Sequence, residues 1–298
     1  MQEPATGSSP VKKRLMLLLK IAITGFCLWY VSTKIDLNAT AAALGNANWL
    51  WLSAALFLYI ISKIISAIRL NINFRNVGLH LSAEDNLRLY WLGMFYNLFL
   101  PGSISGDAYK IIILGKRFKT PYKKLTAAVL LDRFSGLAGL GILLGIYGYF
   151  VLNERWVVLL LVSGSLLCVL LLYIVIRTWL KDFLAGFGET LALGIAVQAL
   201  QVIAVYAIML SLEIPWDHSY IFLFLLSSVA SVLPLTIGGL GIREIVFLYG
   251  ASYFGLQKET AIVISLVFFL ITLVSSAFGL LYVFNDPLRD PDKKTGPQ

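Results

Sequence analysis

Long apolar runs separated by short polar breaks dominate the chain from residue 15 onward. Windows at 15–33, 49–69, 122–151, 155–177, 189–212 and 258–284 each meet the length of about 20 apolar residues that an α-helix needs to cross bilayer hydrocarbon. They predict six crossings. Two further apolar stretches, 89–115 and 219–256, are broken in the middle, by LPGSISGDAYK at 100–110 and by LPLTIGGLGIR at 233–243. Proline lacks an N–H and clashes with the preceding turn, so a helix arriving there ends; glycine lets the backbone turn tightly. An unbroken helix over 89–115 would reach roughly 40 Å, too little for two crossings, so that stretch either crosses once with a kink or dips in and returns.

The distribution of Lys and Arg chooses between these options, because cytoplasmic flanks collect them. With both broken stretches returning to the face they entered from, sixteen basic residues fall on one side, among them Lys12, Lys13, Arg14, Arg69, Arg75, Arg88, the cluster at 116–124, Arg177 and Lys181. Only Lys34, Arg155 and Lys258 fall on the other. The competing arrangement of eight full crossings splits the 116–124 cluster from Arg75 and Arg88 and fits the bias less well. The pattern therefore predicts an all-α polytopic membrane protein: six transmembrane helices plus two re-entrant broken-helix hairpins in an inverted repeat. Both termini are expected in the cytoplasm of a plasma (inner) membrane. Residues 1–14 and 285–298 read as disordered cytoplasmic tails flanking a membrane domain over 15–284. The stretch TWLKDFLAGFGE at 178–189 reads as an interfacial segment with Trp179, Phe183 and Phe187 toward lipid.

Composition agrees. Of 298 residues, 59% are hydrophobic and 13% charged, with a mean hydropathy of +0.83, well outside the soluble range. The run after Arg14 is long enough to be retained as a helix rather than cleaved as a leader. A net charge of +8 would fit nucleic acid, but the basic residues lie in loops, where cytoplasmic retention and anionic lipid headgroups account for them. No nucleic-acid partner is expected. Cys27, Cys168, His80 and His218 are scattered without ligand spacing, so no metal or cofactor is expected.

The two interruptions align as L-P-x4-G-x3-[K/R], matching Leu100 with Leu233, Pro101 with Pro234, Gly106 with Gly239 and Lys110 with Arg243. Three crossings separate them, an odd number, so the second is inverted relative to the first. Paired broken helices in inverted halves point to a transport site near the bilayer midplane. The half-helix after each break starts with free N–H groups aimed at the break, and Lys110 and Arg243 add full charge about one turn on, a pattern suited to phosphate. Gly102, Ser103, Ser105, Thr236, Gly238 and Gly241 complete the two loops. Asp107 has two readings: an N-cap, or the sharper one of a charge partner of Arg133 or a proton-coupled switch. Asp132 and Arg133 sit just inside the third crossing, Arg133 either snorkelling or facing inward. Lys20 and Lys63 read as snorkelling residues. Glu244 follows Arg243 directly, so only one of the two faces a shared cavity. Gln198 and Gln201 read as interhelical hydrogen-bonding residues.

Three motifs, N-x2-LPG-x3-GD-x2-K (Asn97 to Lys110), DR-x2-G (Asp132 to Gly136) and P-x3-GGLG-x2-E (Pro234 to Glu244), resemble the flippase-like membrane region of the lysylphosphatidylglycerol synthase family. The resemblance spans nearly the whole chain, and GGLG-x2-E is its most specific element. Ser105 and Lys110 stand where the family often has glycine and arginine; lysine keeps the charge and loses bidentate phosphate geometry. The soluble aminoacyl-transferase domain of full-length synthases is not among these residues, so aminoacyl transfer is not expected of this chain alone. The resemblance implies movement between leaflets of a lipid with a phosphate-containing headgroup: a phospholipid, an aminoacylated phosphatidylglycerol or a polyprenyl-phosphate lipid. Two other classes remain open, a membrane subunit presenting lipid to a separate synthase or glycosyltransferase, and an intramembrane enzyme using Asp107, Asp132 or Glu244. A transporter of water-soluble anions also fits the repeat, and a homo-oligomer is compatible with it.

Overall fold

The computed structural model describes residues 45–99, 104–232, 236, 239–284 and 286–288, with scattered positions between 15 and 42. The expected crossing at 15–33, both tails, and Pro101, Gly102, Ser103, Pro234 and Gly238 therefore lie wholly or mainly outside the described residues. Numbered along the described chain, the helices are α1 (Trp49–Asn76), α2 (Ala83–Phe99), α3 (Ser105–Phe118), α4 (Tyr122–Val151), α5 (Arg155–Trp179), α6 (Phe187–Ser211), α7 (His218–Ala230), α8 (Ile242–Phe254) and α9 (Lys258–Ala277). Short 3-10 turns occur at Lys181–Phe183 and Phe278–Tyr282, and no strand occurs among the described residues. Among the described residues, five segments are long and apolar enough to cross a membrane: α1, α4, α5, α6 and α9 with its 3-10 extension.

Local chemistry sets several boundaries. Asn48 Oδ1 accepts from Leu50 N–H at 3.0 Å to start α1, and Asp217 Oδ1 accepts from Ser219 N–H at 2.7 Å to start α7. Gly255, with φ +67°, ends α8 in the left-handed conformation that glycine adopts without strain. At the other end of α8, the Glu244 carboxylate reaches back and accepts from the Gly241 N–H, which caps the first turn.

The two broken stretches are antiparallel pairs of short helices. Along α2 and α3, Asn97 bonds Gly106, Tyr96 packs on Tyr109, and Tyr90 lies beneath Lys110. Rising numbers on one helix meet falling numbers on the other, so the chain reverses between them. Gly93 and Gly106 make this possible, because a Cβ on Gly106 would overlap the Gly93 carbonyl. In α7 and α8, Ser231 bonds Arg243, Leu223 packs against Gly250 and Phe222 against Phe254. The pairs sit at opposite ends of α4: Gly115 of α3 touches Tyr122 at its start, while Phe222 and His218 of α7 meet Gly148, Tyr147 and Phe150 near its finish. Their tips thus point toward one another along α4.

Two apolar clusters bracket the meeting point. One gathers Tyr59, Leu144, Ile208, Phe224, Phe247 and Phe268; the other gathers Leu70, Phe74, Leu89, Leu114, Leu125 and Phe183. Phe183, expected toward lipid, is 3% exposed, because the 3-10 turn folds it under α1; Trp179 is exposed as expected, and Phe187 packs at a tilt against Tyr173.

Candidate functional site

Between the two apolar clusters lies a cavity of about 470 Å³ walled by α1, α2, α3, α4, α6, α7 and α8. Lys110 from one hairpin and Arg243 from the other both line it, together with Lys63, Arg69 and Arg133. Asp107 and Asp132 are the two carboxylates in its wall, so the lining carries an excess of three positive charges. A smaller cavity of about 240 Å³ adjoins it, sharing Lys63, Asn97, Ser231 and Arg243 and adding Tyr59, Thr236 and Gly239.

The cations differ in how they are held. Asp107 accepts from Lys110 Nζ at 3.1 Å and from Arg133 Nε at 2.6 Å, bridging α3 to α4. Of its two readings, the structure shows the charge partner of Arg133 and not the N-cap: Ile104 occupies the cap position, and the Asp107 carboxylate points sideways to the two cations. Arg133 accordingly faces this pair and the cavity. Arg69 Nε donates to Asp132 Oδ1 at 2.7 Å. Arg69 as a whole is only 5% exposed, and its Nη1 has no hydrogen-bond partner among the described residues. Gly136 and Gly194 leave room for it, since a Cβ on either would come within 3.3 Å of Nη1.

Lys63 and Arg243 have no carboxylate within ion-pair distance among the described residues. Arg243 Nε donates to Ser231 Oγ at 3.1 Å, and its guanidinium carbon lies 5.0 Å from the Phe268 ring centre. Gly239, at φ +81°, permits that approach: a Cβ there would lie 2.8 Å from Ser231 Oγ and 3.3 Å from Arg243 Nε. Lys63 Nζ sits 4.5 Å from the Tyr59 ring centre. Its snorkelling reading is corrected, because α1 continues to Asn76 and puts Lys63 near the middle of a 28-residue helix. Arg69, counted as a flanking residue, is inside the same helix for the same reason.

The remaining candidates divide clearly. Asn97 lines both cavities and fastens the first hairpin by accepting from Gly106 N–H at 2.9 Å. Gly106 abuts Gly93, so its lack of a side chain serves helix contact; Ser105 begins α3 outside the cavity lining. Thr236 and Gly239 line the smaller cavity, with Thr236 Oγ1 buried and unpartnered among the described residues. Gly241 and Glu244 lie outside both linings. Glu244, fully buried, accepts from Gly241 N–H and from Ser265 Oγ at 2.7 Å, so it fastens α8 to α9. Gln198 and Gln201 bond across helices, to the Gly136 carbonyl and Ser62 Oγ, and also line the cavity. Tyr90, Ser228 and Ser231 join the lining without having stood out in the sequence; the aligned K/R position, four residues after Gly239, was the signal nearest to Ser231.

The comparisons converge on one assignment. The sequence profile of the lysylphosphatidylglycerol synthase transmembrane region matches residues 17–187 and 183–279. A curated UPF0104 membrane protein of Pyrococcus horikoshii is 23% identical over 170 residues, 56% of this chain and 50% of that protein. The match thus spans half of that relative's length. Through the profile match over most of its residues, the chain belongs to the lysylphosphatidylglycerol synthase transmembrane-region family.

Proposed function

We propose that the chain moves a phosphate-bearing lipid between leaflets, and that the two helix pairs are re-entrant hairpins entering the bilayer from opposite faces as an inverted repeat. The observation that carries this reading is the convergence of Lys110 and Arg243, one from each hairpin, on a single cavity with a positive excess. Charge buried at membrane depth is costly, and it is kept where an anionic ligand offsets it. Lys63, Arg243 and Arg69 Nη1 supply donors to such a ligand, while Asp107 holds Lys110 and Arg133 in place until a phosphate competes for them. Asp107 and Asp132 are committed to ion pairs and Glu244 to helix capping, which favours binding and translocation over acid–base catalysis.

The test is translocation of fluorescent phosphatidylglycerol in proteoliposomes. Arg243→Ala and Lys110→Ala are each expected to weaken headgroup binding roughly ten- to a hundredfold, the worth of about one charge-assisted hydrogen bond, with translocation falling accordingly. Unchanged rates in both variants, with monodisperse protein, would remove the assignment. Headgroup turnover by the purified protein would point instead to an enzyme, and dependence on an added synthase to a presenting subunit.

A further inference from the structure

Beside the charged cavity, on the flank of α4 and α5, runs an apolar groove of about 670 Å³. Its walls include Thr126 and Leu130 of α4 and Gly164, Cys168, Leu171 and Val175 of α5. Leu130 and Phe134 line both the groove and the cavity, and each is 47% exposed. One continuous depression therefore changes from charged to apolar across these two side chains. From Phe134 to Lys123 the groove extends about 17 Å along α4, close to the hydrocarbon depth of one leaflet, about 15 Å.

We propose that this groove holds one acyl chain of the anionic lipid whose phosphate occupies the cavity, with the glycerol passing between Leu130 and Phe134. The proposal rests on the headgroup reading above and adds the path of the tail. Charge complementarity fixes the polar end, since the cavity carries the positive excess, and continuity through Leu130 and Phe134 fixes where the chain begins. The chain then runs from Phe134 toward Lys123. A surface lipid merely lodged between helices would run the other way, with its phosphate at Lys123 and its methyl end at Phe134. Thr126, an exposed residue of the groove wall between Phe134 and Lys123, offers a means of blocking this path; Gly164 lies beyond Phe134, since Gly141 of α4 meets Ser165 of α5.

The experiment uses the whole chain with phosphatidylglycerol carrying a diazirine either next to the glycerol or at the acyl terminus, crosslinks being mapped by mass spectrometry. The glycerol-proximal probe is expected at Leu130, Phe134 and Leu172, and the terminal probe at Lys123, Thr126 and Leu180. Thr126→Trp is expected to cut retention of long-chain phosphatidylglycerol roughly tenfold, equivalent to losing the burial of about two methylenes, and to leave binding of water-soluble dibutanoyl phosphatidylglycerol unchanged. Reversed order of the two crosslink sets, or unaltered long-chain retention in Thr126→Trp, overturns the groove assignment while the headgroup site stands. Failure of the wild-type protein to bind the dibutanoyl lipid overturns the headgroup reading and this inference with it.

Discussion

At the scale of single residues, the charged groups of the cavity fall into two energetic kinds. Arg69 and Asp132 are a buried pair, and the partner left behind by removing one would be an uncompensated charge inside the bundle. Such a loss costs about 3–5 kcal/mol, whereas replacing both members by apolar residues of similar size is often neutral or stabilising. Asp132→Ala is therefore expected to lower the unfolding midpoint in detergent sharply, and Arg69→Met with Asp132→Leu to recover most of it. Lys63 has the opposite expectation. Its ammonium faces Tyr59 and the cavity without a carboxylate among the described residues, so folding bears its desolvation unaided. Lys63→Met is expected to leave the midpoint unchanged or raised while phosphatidylglycerol retention falls. A variant that lost stability and retention together would mark Lys63 as structural. Thermal unfolding and lipid mass spectrometry on the same preparations separate the two cases.

Elements respond to the spacing between backbones, and glycine decides where helices touch. Gly106 of α3 rests on the Gly93 carbonyl of α2, and Lys110 passes over Gly93 one turn further on. Gly106→Ala inserts a methyl group into this contact, an overpacking that costs typically about 1–3 kcal/mol and forces the hairpin apart. Because Asp107 and Lys110 ride on α3, the Asp107–Arg133 pair shifts with it, so lipid binding is expected to fall alongside the unfolding midpoint. Gly164→Ala is the matched control: its Cβ meets open space, and relief of glycine's helical cost raises stability by up to about 1 kcal/mol. The hairpins themselves were legible in the sequence, because proline and glycine inside an apolar run announce an interruption whatever the surroundings. The length of α1 was not. The apolar window closes at Arg69, but the helix runs on because its polar side chains find partners inside the bundle: Arg69 in Asp132, Asn71 in the Leu81 carbonyl, and the following helix returns Asn86 to the Ala67 carbonyl. Hydropathy measures the cost of meeting lipid and is blind to partners supplied by distant segments. The same blindness hid Lys63 and left Asp107 divided between a cap and a partner of Arg133.

For the whole molecule, the decisive feature is the layering of two apolar clusters around a charged middle, with a hairpin seated at each end of α4. The aligned L-P-x4-G-x3-[K/R] motifs made the meeting of Lys110 and Arg243 legible although they lie 133 positions apart; that Lys63 and Arg69 join them was not, because hydropathy places both toward the polar end of their helix. The layering also fixes what an orientation measurement must find. Lys119 and Lys181 lie at the end where the first hairpin opens, and Arg155 and Lys258 at the end where the second opens; all four are exposed. Cysteines placed singly at these positions, with Cys27 and Cys168 replaced by serine, are expected to label in two groups with a membrane-impermeant maleimide. Positions 119 and 181 should react from the cytoplasmic face, where most basic residues gather, and 155 and 258 from the opposite face. Were 119 and 155 to label from the same side, α4 would not span, the hairpins would no longer oppose each other across the bilayer, and the cavity between their tips would lose its access to two leaflets.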